Sequence, residues 1–287
     1  MIGTGFDETV TPALVGRKLL ERLSLAEGAR SVINPMSDEL DTMRTSLLPS
    51  LLAVAALNQN RGAIRADLFE LARVYRGTDS QGLAEEPLRL TAVARVGGSA
   101  VAGRDGFLRL KSVLDRVAAD LATGPVEYRP VAENLYHPGR TASVSIGGRQ
   151  LGVLGELHPA TLAAFDLDGR AVAFDLDADA LVAASGERKA KELPRFPAVT
   201  RDLAVVVAES ITATALLASI QAAGGELLES LTAFDEYRSE QLGEGVRSVA
   251  FALTFRSPER TLTDSEVDQL LTAIRKRLES EHGAKGR

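Results

Sequence analysis

A polar, proline-containing segment at residues 185–197 divides the chain into two parts and limits the folds available to it. Charged and small residues fill most of this segment. Pro194 and Pro197 lack a backbone N–H, which disfavours helix interiors and central strands. The chain has 287 residues, more than the ~100–200 typical of one domain. We therefore predict one domain at 1–184, a linker at 185–197 and a second domain at 198–287.

The part that follows the linker has the clearer pattern of secondary structure. Apolar residues at every second position from 249 to 255 predict a strand with one apolar face. Thr263 and Glu266 have capping-box spacing and precede an apolar stripe, which predicts a helix from Asp264. Further strands are predicted at 201–208, 227–237 and 246–256, and a helix at 212–223. The order βαββα, with only a stub of a last strand, predicts a ferredoxin-like domain whose second sheet face is open for docking.

The part before the linker mixes short strands with helices. Strands are predicted at 66–75, 88–96, 143–146, 150–154 and 171–177, and helices at 47–60 and 107–122. The turn at Gly147 and Gly148 joins two of these strands, as in an antiparallel hairpin. We therefore expect an α+β domain with a mainly antiparallel sheet.

Composition excludes several classes of protein. A charged fraction of 25% and the absence of a run of ~18 apolar residues argue against a membrane span. No cysteine is present, so disulfides and thiolate chemistry are excluded, and a cytoplasmic setting is expected. The net charge of -6 gives no overall attraction to polyanions. Any contact with nucleic acid must therefore be local.

Residues with catalytic or metal-binding chemistry are sparse. His137, His158 and His282 are isolated in the sequence, and a structural role is favoured for each because a zinc site needs further ligands. Phosphate-binding loops and a nucleophile elbow are missing. We therefore predict no catalytic residue and no metal site in this chain.

A small group of side chains in the second domain suits nucleic acid. Arg238, Arg247 and Arg256 gather around the paired strands, and Tyr237 offers a flat face on which a base could stack. The segment 193–287 has 11 Lys and Arg against 14 Asp and Glu, a net charge of -3. An ordinary solvated surface is therefore the alternative interpretation.

Several longer sequence segments resemble the beta subunit of bacterial phenylalanyl-tRNA synthetase, and they occur in the same order as in that family. Residues 34–52 read NPMSDELDTMRTSLLPSLL, and 66–75, 137–142 and 152–159 read ADLFELARVY, HPGRTA and GVLGELHP. Beyond the linker, 196–204, 234–238 and 253–264 read FPAVTRDLA, FDEYR and LTFRSPERTLTD. The resemblance covers nearly the whole chain.

The resemblance implies a class II synthetase-like core that has lost its catalytic residues and packs on the catalytic alpha subunit. The second domain would be a ferredoxin-fold anticodon-binding domain for phenylalanine tRNA. It would contact tRNA through Tyr237, Arg238 and Arg247, with Arg201 and Arg256 as further candidates. ATP and magnesium are expected in the whole complex and no cofactor in this chain. The isolated chain is expected to be an inactive part of phenylalanine–tRNA ligase, and editing is not assigned to it.

Two alternatives remain open on the sequence. The chain could be a free-standing regulatory or scaffold protein that senses a small molecule or a partner. At the level of residues, Tyr237 could instead close a strand end, and Arg201 could pair with Asp202 or a neighbouring acid.

Overall fold

The computed structural model describes residues 1–78, 80–188, 193–239 and 242–286. The chain divides into two compact units, at 1–189 and 190–287, and each is described here by itself. The predicted linker includes residues 189–192, which lie outside the described residues. Its role as a linker therefore stays a prediction.

The first unit is built on a seven-stranded sheet in the order β1-β4-β5-β9-β8-β7-β6. All neighbouring strands are antiparallel except β1 and β4, which are parallel. The seven strands are β1 (Asp7–Glu8), β4 (Asp67–Arg73), β5 (Leu88–Val96), β6 (Val126–Pro130), β7 (Tyr136–Ile146), β8 (Arg149–Leu157) and β9 (Arg170–Asp177). A separate pair joins β2 (Leu14–Val15) to β3 (Thr42–Met43). The prediction of a mainly antiparallel sheet is confirmed.

Helices cover both faces of this sheet. The α-helices among the described residues of the unit are α1 (Arg17–Arg22), α2 (Leu48–Asn60), α3 (Ala100–Leu121), α4 (Pro159–Ala163) and α5 (Ala178–Ala183). Helices α3 and α5 share one apolar core with the sheet, including the fully buried Leu110 and Phe174. Helix α2 shares a second core on the other face, including Leu51 and Val93.

Helix α3 begins at Ala100, seven residues before the predicted start at 107. Gly103 and Gly106 lie in its first turns and have low helix propensity. For this reason the sequence pattern predicts a start that is too late. A Cβ atom on Gly106 would lie 2.7 Å from a Val96 methyl carbon, which is too close. These positions therefore use glycine so that the helix can approach the sheet.

A buried ion pair links the chain before α2 to strand β4. The Arg44 guanidinium donates to Glu70 Oε1 at 2.9 Å, and both side chains are nearly inaccessible to solvent. Arg44 also donates to the Arg73 carbonyl at 3.0 Å and the Thr11 hydroxyl at 3.0 Å. Glu70 accepts from the Thr11 hydroxyl at 2.7 Å. The network ties three segments of the unit together.

The second unit has the element order expected for a ferredoxin-like domain. Its elements are β10 (Val199–Ala208), α6 (Ala213–Gly224), β11 (Leu228–Tyr237), β12 (Val246–Phe255), α7 (Asp264–His282) and β13 (Lys285–Gly286). The strands form an antiparallel sheet in the order β11-β12-β10-β13. Both helices pack on one face, around Leu203, Phe251, Leu216 and Ile274. The predicted α+β fold and its ferredoxin-like part are confirmed.

The last strand is short, but it completes the sheet edge. Val206 of β10 is opposite Lys285, and Val205 is opposite Gly286. The two residues of β13 form the fourth strand of the sheet, at the position of the short last strand predicted from the sequence.

The capping box of α7 predicts a pH-dependent stability. The Arg260 guanidinium and the Thr263 backbone and hydroxyl donors lower the pKa of Glu266 from 4.5 to about 2. A carboxyl with a lowered folded-state pKa stabilises the fold above its unfolded pKa. That stabilisation disappears as the pH falls through the folded pKa. It should therefore be present above about pH 4.5 and be lost between 4.5 and 2.

We expect Glu266→Gln to lower the melting temperature of the second unit at pH 7, with the effect shrinking as the pH falls from 4.5 towards 2. Circular dichroism of the full chain at several pH values, with hydrogen exchange to assign the unit, measures this. Glu279→Gln on the same helix is the matched control, because no capping contact involves that side chain. An equal loss from both variants at pH 7 would contradict the capping role.

Within the described parts of the chain, every helix is too short or too polar to cross a membrane.

Candidate nucleic-acid interface

Within the described part of the second unit, both helices pack on the same face of the sheet, and no helix covers the other face. Residues directly opposite each other on paired strands share a face, so the registers of β10, β11 and β12 define four rows across the open face. These rows are Val206–Ser248–Tyr237, Ala204–Ala250–Asp235, Asp202–Ala252–Thr232 and Thr200–Thr254–Ser230. Most of these side chains are small. A flat molecule could therefore approach the sheet closely in the middle of this face.

Tyr237 and Lys285 mark the two ends of the first row. Tyr237 is 44% exposed and ends β11. Lys285 is exposed and pairs with Val206 at the opposite edge. The two residues are three strand spacings apart, or roughly 14 Å at ~4.8 Å per spacing. This row, which crosses the open face near one end of the strands, thus has an aromatic ring at one sheet edge and an ammonium group at the other.

Arg238 and Arg247 meet at Glu236, next to Tyr237. Glu236 accepts from Arg238 Nη2 at 2.8 Å and from Arg247 Nη1 at 2.7 Å. The Arg238 side chain is 55% exposed and also pairs with Glu209 at 3.1 Å. The Arg247 side chain is only 11% exposed, because it lies on the helix side and donates to the Ile211 carbonyl at 2.7 Å. Arg238 is therefore exposed but already paired with two carboxylates, whereas Arg247 supports the start of α6.

Arg201 and Arg256 lie away from this end of the sheet. Arg201 faces α7 and pairs with Asp264 at 2.6 Å and Asp268 at 3.7 Å. The Asp264 carboxylate raises the pKa of Arg201 above its ordinary value. Arg256 pairs with Glu229 at 3.0 Å. Of the five predicted residues, the structure brings Arg238 and Arg247 together at Glu236. Tyr237 is next to Arg238 in the chain but lies on the open face, and Arg201 and Arg256 lie elsewhere.

Carboxylates outnumber guanidinium groups at this end of the sheet. Arg238 lines a cavity of about 540 Å³ whose wall also includes Glu209, Glu244 and Gly245. Asp235 and Asp202 lie on the open face itself. A phosphate must therefore compete with carboxylates for Arg238, and only a contact at defined positions can be favourable here.

Lys285 was not among the residues predicted from the sequence. Its position depends on the pairing of β13 with β10, which is a long-range contact. The one available hint was its place in the predicted stub of the last strand, at the end of a ferredoxin-like order.

The three histidines have structural partners. His158 caps α4 by accepting from the Ala160 N–H at 3.1 Å, and His137 accepts from the Gly139 N–H at 3.2 Å. His282 Nε2 lies 2.7 Å from the Ser219 hydroxyl. Among residues 1–78, 80–188, 193–239 and 242–286, no three His, Asp or Glu side chains are grouped so that they could hold a metal ion.

Two family models match the chain. The one described as "Phenylalanyl tRNA synthetase beta chain CLM domain" matches residues 1–178, and "Ferredoxin-fold anticodon binding domain" matches residues 194–287.

Curated relatives have the same domains in a longer chain. The phenylalanine–tRNA ligase beta subunit of Moorella thermoacetica is 40% identical over 98% of this chain and 36% of its own length. That of Symbiobacterium thermophilum is 36% identical over 98% of this chain and 33% of its length. The present chain thus spans about a third of the relatives it matches.

A solved structure shares the fold at low sequence identity. The pyrrolysyl-tRNA synthetase from Desulfitobacterium hafniense superposes with a TM-score of 0.51 at 18% identity, over 63% of each chain. This likeness indicates a synthetase-like fold and nothing more specific.

Proposed function

Because the chain belongs to the phenylalanyl-tRNA synthetase beta chain family, we propose that it works as a non-catalytic part of phenylalanine–tRNA ligase. Its first unit packs on the catalytic alpha subunit. Its second unit binds the anticodon region of phenylalanine tRNA. The cytoplasm is the proposed location, and ATP and magnesium act in the alpha subunit's site.

The observation that carries the tRNA-binding role is the composition of the open sheet face. An aromatic ring and a lysine flank a floor of small side chains, among them Ala204 and Ala250. Single-stranded nucleic acid is bound by stacking its bases on aromatic rings and neutralising its backbone with cations. We assign stacking to Tyr237 and phosphate contacts to Lys285 and Arg238. Arg247 holds Glu236 in place.

This face contributes to the reaction by positioning. Holding the tRNA at a distant point makes the attack of its terminal ribose hydroxyl on the adenylate effectively intramolecular, and such effects can be large. The contribution belongs to the tRNA-dependent step and not to activation of the amino acid.

The first unit supports a non-catalytic role because arginines of strands β5 and β9 are paired with carboxylates. Asp175 of β9 is held by Arg89 at 2.9 Å, and Arg170 at the start of the strand pairs with the buried Glu156. These arginines are thus engaged with protein carboxylates and are not free to grip the phosphates of ATP. We expect no phenylalanine-dependent exchange of pyrophosphate into ATP by the isolated chain.

Co-purification with the alpha subunit of the same organism tests the proposal. The complex should form and shift phenylalanine tRNA on a gel, and truncation before residue 190 should weaken the shift without loss of the complex. A complex whose tRNA affinity does not depend on the second unit would leave only the scaffold role. Failure to bind the alpha subunit would favour the free-standing regulatory protein.

Replacing Lys285 with Ala should weaken tRNA binding by the complex and make it less sensitive to salt. One lost phosphate contact reduces the slope of log affinity against log salt by roughly 0.7–0.9. Filter binding at several salt concentrations measures this slope. Lys276→Ala is the matched control, because Lys276 is exposed on α7, on the helix-covered side. Equal slopes for the two variants would remove Lys285 from the interface.

A further inference from the structure

The first unit has a cleft on the α2 side of its sheet, with a lining unlike that of the open face of the second sheet. Its volume is about 420 Å³, and strands β5, β8 and β9 form its floor while the start of α2 forms one wall. None of the roles proposed above uses it. The lining combines apolar side chains with a group of charged and hydroxyl-bearing ones.

The charged part of the floor is rigid. Asp175 Oδ1 accepts from the Arg89 guanidinium at 2.9 Å and from the Thr91 hydroxyl at 2.9 Å. The side chains of Arg89 and Asp175 are 13% and 20% exposed. This carboxylate is thus fixed in place with one oxygen, Oδ2, that has no such partner among the residues described.

Tyr136 brings an unused hydroxyl to the same cleft. The residue is 5% exposed, and its hydroxyl oxygen is buried with no hydrogen-bond partner in the described part of the chain. Burial raises the pKa of this phenol, the charges of Asp175 and Glu133 raise it further, and Arg89 opposes them. Tyr136 and all three of these charged residues line the cleft. A buried hydroxyl without a partner is rare and calls for an explanation.

The charges that line the cleft favour a cation. Glu133, Asp175 and Asp177 supply three carboxylates, and Arg76 and Arg89 supply two guanidinium groups, which leaves a net charge of -1. The lining also has an apolar part, which includes Leu25, Leu48 and Leu135. One compact positive charge joined to an apolar body would match both halves of the lining.

We propose that this cleft binds a small organic ammonium compound. The ammonium group donates hydrogen bonds to the Tyr136 hydroxyl and to the carboxylates of Asp175 and Glu133. The apolar body lies against the leucines. The test uses the chain alone with a free small molecule, so its outcome is distinguishable from that of the tests of the function proposed above.

Three probes of nearly equal shape test the chemistry on the full chain. Benzylamine, benzyl alcohol and benzoate differ in charge while keeping the same ring. Titration followed by NMR or calorimetry should show benzylamine binding in roughly the millimolar range, as expected for a ligand of so few atoms. The alcohol and the acid should bind at least about fivefold more weakly. Equal or tighter binding of either one would overturn the proposal.

Two tyrosine variants separate a ligand-binding role from a structural one. Tyr136→Phe should weaken benzylamine about fivefold without lowering the melting temperature, because the hydroxyl has no partner within the described chain to lose. Tyr128→Phe is the matched control, since the Tyr128 hydroxyl donates to Asp115 at 2.7 Å and lies outside the cleft. It should lower the melting temperature and leave binding unchanged. Unchanged binding by Tyr136→Phe would remove the hydroxyl from the site, and the proposal would fail.

Discussion

Replacing Arg44 with Met is expected to destabilise the first unit by about 3–5 kcal/mol, the typical cost of removing one partner from a buried ion pair. The Arg44 and Glu70 side chains are only 6% and 3% exposed. Without the guanidinium, the Glu70 carboxylate would stay buried with only the donors of Thr11. The Arg73 carbonyl would lose a donor as well.

Chemical denaturation of the full chain, with hydrogen exchange to report on each unit, measures this effect. Amides of β4 and β5 should lose protection while those of β10 and β12 keep it, so the second unit is an internal control. Arg116→Met is the matched control, because Arg116 pairs with Asp120 on the exposed surface of α3. That variant should leave the free energy of unfolding almost unchanged.

A double variant tests the cause of the instability. Changing Arg44 and Glu70 together to Met removes the unpaired charge, and similar apolar replacements of buried pairs are often tolerated. Part of the stability should therefore return, although the Thr11 donors lose their acceptor. A double variant as unstable as Arg44→Met would mean that shape and packing, rather than the stranded carboxylate, explain the loss.

Local patterns predict the second unit better than the first. The alternation from Val249 to Phe255 and the capping box at Thr263 are short-range features, and the structure places β12 and α7 where they indicate. The same alternation also predicts on which face of the sheet Arg247 lies. Counting back two residues from Val249 places Arg247 on the helix face, where the structure has it. That inference was available from parity alone.

The remaining features depend on contacts between distant parts of the chain. Arg44 and Glu70 are 26 residues apart, and no periodicity indicates that one would neutralise the other. Lys285 reaches the open face only because β13 pairs with β10. Arg201 pairs with Asp264 and Asp268 instead of Asp202, because neighbours in a strand point to opposite faces. Strand register and long-range pairing determine these positions. Both are set by tertiary packing, so local sequence patterns do not predict them.

The charge of the second unit limits how it could bind tRNA in the proposed function. Its net charge is negative, and Arg238 is held between two carboxylates. In the proposed function, most of the electrostatic affinity for tRNA would therefore come from other parts of the synthetase complex. What this unit can add is stacking, which does not depend on net charge. Loss of the Tyr237 ring should therefore weaken tRNA binding more than loss of the Arg238 guanidinium.

Replacing Tyr237 with Ala in the complex with the alpha subunit should raise the KM for phenylalanine tRNA about 5- to 150-fold, the equivalent of ~1–3 kcal/mol per stacked base. Tyr237→Phe keeps the aromatic face and should stay close to the wild type. Phe234→Ala is the matched control, because Phe234 is an aromatic residue of the same strand that is 56% exposed and lies at the bulge between Ala233 and Asp235.

Comparing two reactions of the same complex separates positioning from catalysis. Aminoacylation depends on tRNA, whereas exchange of pyrophosphate into ATP does not, so Tyr237→Ala should impair the first reaction and leave the second nearly unchanged. A loss of exchange activity would show that the variant disturbs the alpha subunit, and the stacking role would be wrong. An unchanged KM for tRNA would support the structural alternative, in which Tyr237 closes the end of β11 beside Ser248.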